Sequence, residues 1–293
     1  MIIVASLLTG CSISLRGERI AETAMPLTPS RAAVAIPDML MPSSPGIRVK
    51  STDGAVIDYS NAHDGYVTVR VLEYTLKRVK VLITGPDGTR YVYNLAPNGM
   101  YEVFPLTAGD GEYIVGVFEQ VTGEKYAMVI STTVDVILFN EFAPFLRPNQ
   151  LVNYNRDSQA IKKAAELTAD ADSLISRIAT IYNFVVNNIN YDIALAENVQ
   201  AGYLPDIDAV LARKKGICLD YAALMAAMLR SQGIPTKLVV GYSGNALHAW
   251  VSVYSEEEGW MLMDPTFSAT GNKNRKAMMF IGDGANYQAL YQY

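Results

Sequence analysis

Between Phe142 and Gln150 (FAPFLRPNQ) the hydrophobic pattern of this chain changes period, and two prolines sit at the change. Before it, apolar residues tend to recur at every second position, the period that lines one face of a strand. After it they recur at every third or fourth, the period of a helix face. Proline interrupts both ladders and helices, so the segment reads as a connector. The chain has 293 residues, and a soft prior of about 150 residues per folded unit allows one unit on each side.

Upstream, from Arg48 to about Asn140, short runs rich in β-formers alternate with turn signals: GYVTVRVLEYT, KRVKVLIT, TRYVYNL, GEYIVGVFEQV and KYAMVISTTVDVILF, separated by Pro86-Asp87-Gly88, Gly109-Asp110-Gly111 and Thr122-Gly123-Glu124. Val67, Val69 and Val71 against Thr68, Arg70 and Leu72 suit a strand with one buried face. Residues 48–140 are therefore expected to form a small β-sandwich of immunoglobulin-like type. Residues 12–47 are rich in proline and keep no sustained period, which reads as a flexible tether. His63 lies in a polar turn, Asn61 to Gly65, without partners for catalysis or a metal nearby in sequence.

Downstream, Ser173 can cap a helix whose apolar stripe is Leu174, Ile178, Ile181, Val185 and Ile189, and a shorter helix starts near Pro205-Asp206. Cys218 then opens CLDYAALMAAMLRSQG, a run of strong helix formers that stops at Gly233. A thiol at a helix N-terminus meets unpaired N–H groups and the positive end of the dipole, which favour thiolate over thiol. Ala222, Met225, Ala226 and Leu229 give the helix a core-facing side, and Asp220 in its first turn complements the dipole. His248 begins HAWVSVY, which a turn at Ser255 to Gly259 joins to WMLMDP. In such a hairpin His248 and Asp264 fall opposite each other or one diagonal step apart, so the carboxylate can orient the imidazole while its other nitrogen faces a thiol. Trp250 and Trp260 lie on the same hairpin and are expected to wall the site or its supporting core.

A lone cysteine is ordinarily a small buried hydrophobe and a lone histidine a satisfied one. Together, a cysteine at a helix start followed by a histidine and a carboxylate at cross-strand spacing form a candidate nucleophile with its base.

GICLDYAALMAAMLRSQGIPTKLVVGY, HAWVSVY and GWMLMDPTF, with IYNFVVNNINYD upstream, resemble the core of the transglutaminase-like superfamily, including its bacterial cysteine-protease-like members, over about residues 155–270. The resemblance implies an α+β fold, a papain-like transglutaminase-core domain over 141–293, with Cys218 as nucleophile, His248 as base and Asp264 as orienter. An oxyanion would meet the backbone N–H of Cys218. Tyr191 is a second candidate donor, weighed against a purely structural role, and Trp250 a candidate site wall. The implied chemistry is attack on a peptide or glutamine carboxamide carbonyl through a thioester, as a protease or amidase. The alternatives are a transglutaminase or deamidase acting on protein glutamine and, in another class, a non-catalytic cell-surface binding module. No cofactor and no metal are expected.

Composition bears on partners and location. Half of the residues are hydrophobic and 18% charged, with a net charge of −5 and no basic cluster, so no nucleic-acid footprint exists. Met1 to Leu8 is a short apolar run leading into Thr9-Gly10-Cys11, which resembles a bacterial lipobox, although no Lys or Arg precedes it. The resemblance implies that residues 1–11 are a signal segment with Cys11 as lipid attachment point. The mature chain is then expected to be exported and held by a lipid anchor at the outer face of a membrane, or else secreted, where a protein or peptide substrate, cell-wall associated or not, is its partner. The catalytic groups all fall after the connector, so the later unit is expected to act without groups from the sandwich.

Overall fold

The computed structural model describes residues 35–270 and 284–293; the expected signal segment, with Cys11, lies outside the described residues. Period-two patterning yields β1 (Val49–Ser51), β2 (Ala55–Asp58), β3 (Tyr66–Val71), β4 (Val79–Thr84), β5 (Arg90–Leu95), β6 (Glu102–Pro105), β7 (Gly111–Thr122) and β8 (Lys125–Val136). They pair antiparallel into two four-stranded sheets, β1-β2-β3-β6 and β5-β4-β7-β8. Val67, Val69, Val81, Ile83, Phe104, Val115 and Val117 fill the core of the sandwich and are fully buried or nearly so.

Three strands, β1, β2 and β6, escape the sequence pattern. Every residue of β2 is buried, and Thr68, expected on the solvent face of β3, is buried as well. The cause is the preceding segment, read from sequence as part of the tether. Residues 35–46 carry no regular structure, yet residues 43–46 lie against the sheet. The Gly46 N–H donates to Asp58 Oδ2 at 2.7 Å, and the hydroxyls of Ser44 and Thr68 meet at 2.8 Å. Alternation vanishes where both faces of a strand are covered.

After the connector come α1 (Gln159–Thr168), α2 (Leu174–Asn188), β9 (Asn190–Tyr191), α3 (Ile193–Asn198), α4 (Ile207–Arg213), β10 (Lys215–Gly216) and α5 (Cys218–Arg230). Ser173 Oγ accepts the Ser176 N–H at 3.1 Å and caps α2. The chain continues through β11 (Thr236–Ser243), β12 (Ala246–Ser255), β13 (Gly259–Met263), α6 (Pro265–Thr270) and β14 (Tyr287–Gln292). These last strands form an antiparallel sheet in the order β13-β12-β11-β14. Helix α5 packs on β11 and β12, with α1, α2, α4 and α6 around it. Where the sequence suggested one core-facing side, α5 is buried on all sides from Asp220 to Arg230. Its alanines and methionines leave no polar face because the sheet covers one side and helices cover the others.

Arg230, at the end of α5, is 1% exposed. Its guanidinium donates to three backbone carbonyls: Thr236 at 2.8 Å, Arg147 at 2.8 Å and Tyr293 at 2.5 Å. Burial pushes its pKa down to about 10. The sandwich and the later lobe belong to one compact unit, residues 34–293. Arg147 binds Asp64 at 2.9 Å, and the Thr107 hydroxyl donates to the Gln292 carbonyl at 2.9 Å. The Tyr293 ring meets Tyr91 and Tyr93 edge-on at 5.6 and 6.0 Å.

Candidate active site

The turn before α5 fixes the thiol. Ile217 is extended, and Asp220 Oδ2 reaches back to accept the Ile217 N–H at 2.9 Å. The other oxygen of Asp220 accepts the Tyr203 hydroxyl at 2.7 Å. Asp220 is 0% exposed, and burial pushes its carboxyl up. Sequence reading gave Asp220 only a dipole role; the back-bond adds a geometric one, since it sets the angle at which the chain enters the helix. Gly216 must be small there, because a Cβ would come within 2.6 Å of Asp220 Cβ. β10 pairs parallel with β9, which brings Tyr191 to the side of the helix start. Tyr191 is partly buried, and its phenol is pushed up by burial and then by the nearby Cys218. Cys218 itself is partly buried and unbridged.

His248 sits on β12 opposite Gly241 of β11. On the other side the hairpin register aligns Val251 with Met263, which puts Asp264 one diagonal step from His248. Asp264 follows the last residue of β13 and caps α6: its Oδ1 accepts the Phe267 N–H at 2.9 Å. Its Oδ2 lies 2.7 Å from His248 Nε2. The His248 side chain is 17% exposed and the Asp264 side chain 0%, so the pair is shielded from water and from salt. Cys218 lies close enough to the imidazole to raise its proton affinity as well. The structure thus brings the three residues singled out from sequence together.

Burial alone would lower the proton affinity of His248. The interactions with Asp264 and Cys218 outweigh burial and raise its pKa to about 9. An imidazole that is protonated at neutral pH is able to give a proton to a neighbouring group.

Trp250 lies two residues along β12, with its ring 6.3 Å from His248 and inclined by only 24°. Gly241 makes room for it, because a Cβ there would stand 2.9 Å from the indole and 2.0 Å from the Gln288 carbonyl. Trp260 goes elsewhere. It joins Phe142, Phe145 and Tyr254 in an aromatic cluster with Lys237 Nζ at 4.1 Å, at the seam with the connector. His63 packs on Phe139 at 4.1 Å, within the sandwich lobe.

Sequence reading missed Tyr287. Its hydroxyl donates to Asp264 Oδ2 at 2.9 Å, and its ring meets Trp250 edge-on at 5.0 Å. Tyr287 stands 23 residues after Asp264, on a strand whose partner, β11, no local pattern predicts.

Residues 161–265 match the family model of the transglutaminase-like superfamily. A protein-glutamine gamma-glutamyltransferase of Pseudomonas aeruginosa is 36% identical over 74 residues, 20% of this chain and 11% of that protein. The kyphoscoliosis peptidase of Homo sapiens is 30% identical over 117 residues, 36% of this chain and 17% of that protein. The chain thus spans between 11% and 17% of the length of these two curated relatives. Among solved structures, a candidate cysteine protease from Cytophaga hutchinsonii aligns over 84% of this chain and 74% of its own at 14% identity, with a TM-score of 0.41. Over residues 161–265 the chain is thus similar to the core of the transglutaminase-like superfamily.

Proposed function

We propose that the protein is a thiol enzyme that cleaves a carboxamide or peptide bond through an acyl-enzyme on Cys218. One observation supports the reading: His248 Nε2 lies 2.7 Å from Oδ2 of the fully buried Asp264, with Cys218 near enough to raise the imidazole's proton affinity. The sulfur of Cys218, as thiolate, forms a bond to the carbonyl carbon, and the carbonyl electron pair moves onto oxygen. In this reading the Cys218 backbone N–H meets that oxyanion, with the Tyr191 phenol as the candidate second donor. On collapse the C–N bond breaks, and the imidazolium of His248 gives the leaving nitrogen its proton. A thioester and a neutral imidazole remain. Water, giving up a proton to His248, then attacks the thioester, releasing a carboxylic acid and regenerating the pair.

A second reading, transfer of the acyl group to an amine, rests on the segment that is 36% identical to a protein-glutamine gamma-glutamyltransferase. It differs only in the species that attacks the thioester. Incubation with a library of glutaminyl and other peptides, acid quench and intact-mass measurement will trap the intermediate. An adduct present on the wild type and missing from Cys218→Ala is expected. A primary amine added before the quench separates the readings, since transfer gives an amide product and hydrolysis gives the acid. Absence of any adduct across the library, with a folded protein, counts against the enzyme and for a binding module.

We further propose that Cys11 carries a lipid, which would hold the chain at the outer face of a membrane near protein or peptide substrates. A fatty-acid analogue should label the wild type and not Cys11→Ser. Equal labelling of both excludes this anchor.

A further inference from the structure

The carboxylate that orients His248 is itself held by a residue outside the expected constellation. Asp264 accepts three hydrogen bonds: the Phe267 N–H on Oδ1 at 2.9 Å, and both His248 Nε2 and the Tyr287 hydroxyl on Oδ2, at 2.7 and 2.9 Å. Two donors on one oxygen compete for the same negative charge. Tyr287 is in turn oriented. Its cross-strand partner on β11 is Ser243, so the pairing of β14 with β11 sets where the phenol stands beside Asp264. Its ring edge meets Trp250 at 5.0 Å, and the Trp250 ring stands beside the imidazole at 6.3 Å. One side chain therefore touches both supports of His248, the carboxylate and the indole.

We infer that Tyr287 is a positioning residue of this site: its hydroxyl fixes Asp264 Oδ2 in line with His248 Nε2 and shares that oxygen's charge. The inference rests on the thiol-enzyme reading proposed above and adds a residue to it. An orienting carboxylate with no second donor would bind the imidazolium more strongly, and an imidazolium held too tightly is a weaker acid toward the leaving amine. Tyr287 draws off part of that charge, so His248 stays protonated at neutral pH yet can release its proton in the step that breaks the C–N bond. The ionisable groups facing the imidazole are Cys218 from α5 and Asp264 from the end of β13. Tyr287 on β14 acts through Asp264, Tyr191 on β9 through Cys218, and Tyr182 on α2 lies near Tyr287.

The chain has only two histidines, His63 and His248, so an NMR titration of the imidazole protons in a His63→Gln background reports His248 alone. Tyr287→Phe keeps the ring against Trp250 and removes only the hydroxyl. The expected result is a His248 midpoint raised by about half a pH unit over wild type, a roughly threefold change in its proton equilibrium. Hydrolysis of amides should fall several-fold relative to hydrolysis of activated esters, whose leaving groups need no proton. A role limited to packing would move neither. Equal midpoints and an unchanged amide-to-ester ratio, with a wild-type midpoint near 9, overturn the inference and leave the thiol-enzyme reading standing. A wild-type midpoint near the ordinary 6.5 overturns the pairing itself and this inference with it.

Discussion

At the scale of single residues, the Cys218–His248–Asp264 contacts fix an expected pH profile. The raised pKa of His248, about 9 against 6.5 for a free imidazole, means that the imidazolium persists through neutrality and is lost as pH rises through about 9. Amide hydrolysis measured as kcat/KM should therefore fall on its alkaline side near that pH. In Asp264→Asn the charge that raises the midpoint is gone while burial remains, so the alkaline limb should move down by two or more pH units, with activity reduced on the order of 100-fold or more. A limb that stays near 9 in Asp264→Asn would assign it to another group. The sign for stability is the same: His248 stabilises the fold fully below its unfolded midpoint, and that contribution disappears as pH rises through about 9.

At the scale of elements, what was legible in the sequence was what is encoded locally. The cap at Ser173, the helix start at Cys218 and the hairpin that carries His248 and Asp264 rest on residues a few positions apart, and the structure has all three. Strand β2 was not legible because residues 43–46 cover its outer side and erase the alternation. Tyr287 was not legible because its place depends on β14 joining β11 rather than any nearer strand. Helix α5 shows a further limit: its small and apolar residues announce burial, but the polar Arg230 at its end gave no sign of being fully enclosed. Arg230 holds the carbonyls of Arg147, Thr236 and Tyr293 together, tying α5 to the connector and to the end of β14. Arg230→Ala would leave those acceptors without a donor in a buried place, and chemical unfolding should show a loss of about 3 kcal/mol. A loss within about 0.5 kcal/mol would mean that these carbonyls find water instead.

At the scale of the whole molecule, the sandwich and the later lobe do not meet only through a flexible connector. Tyr291 and Tyr293, four and six residues beyond Tyr287, pack against Tyr91, so the strand that bears on Asp264 is steadied by the sandwich core. Among the described contacts the sandwich supplies no side chain to Cys218 or His248, and it supports β14 through these rings. A chain starting at Phe142 should unfold at a lower temperature than the full chain. Its thiol should also react more slowly, because β14 loses its backing. Equal melting temperature and equal thiol reactivity in the two forms would show that the sandwich is a detachable module.

The central claim is that Cys218 works as a thiolate paired with an imidazolium. The most direct measurement is the rate of iodoacetamide alkylation of Cys218 against pH, in a Cys11→Ser background so that a single thiol is read. The account predicts rapid alkylation already near pH 6, where a free thiol of pKa about 8.5 is almost wholly protonated. It also predicts that His248→Ala returns the profile to that of a free thiol. A wild-type profile that follows a free thiol from the outset, in a folded protein, would contradict the account.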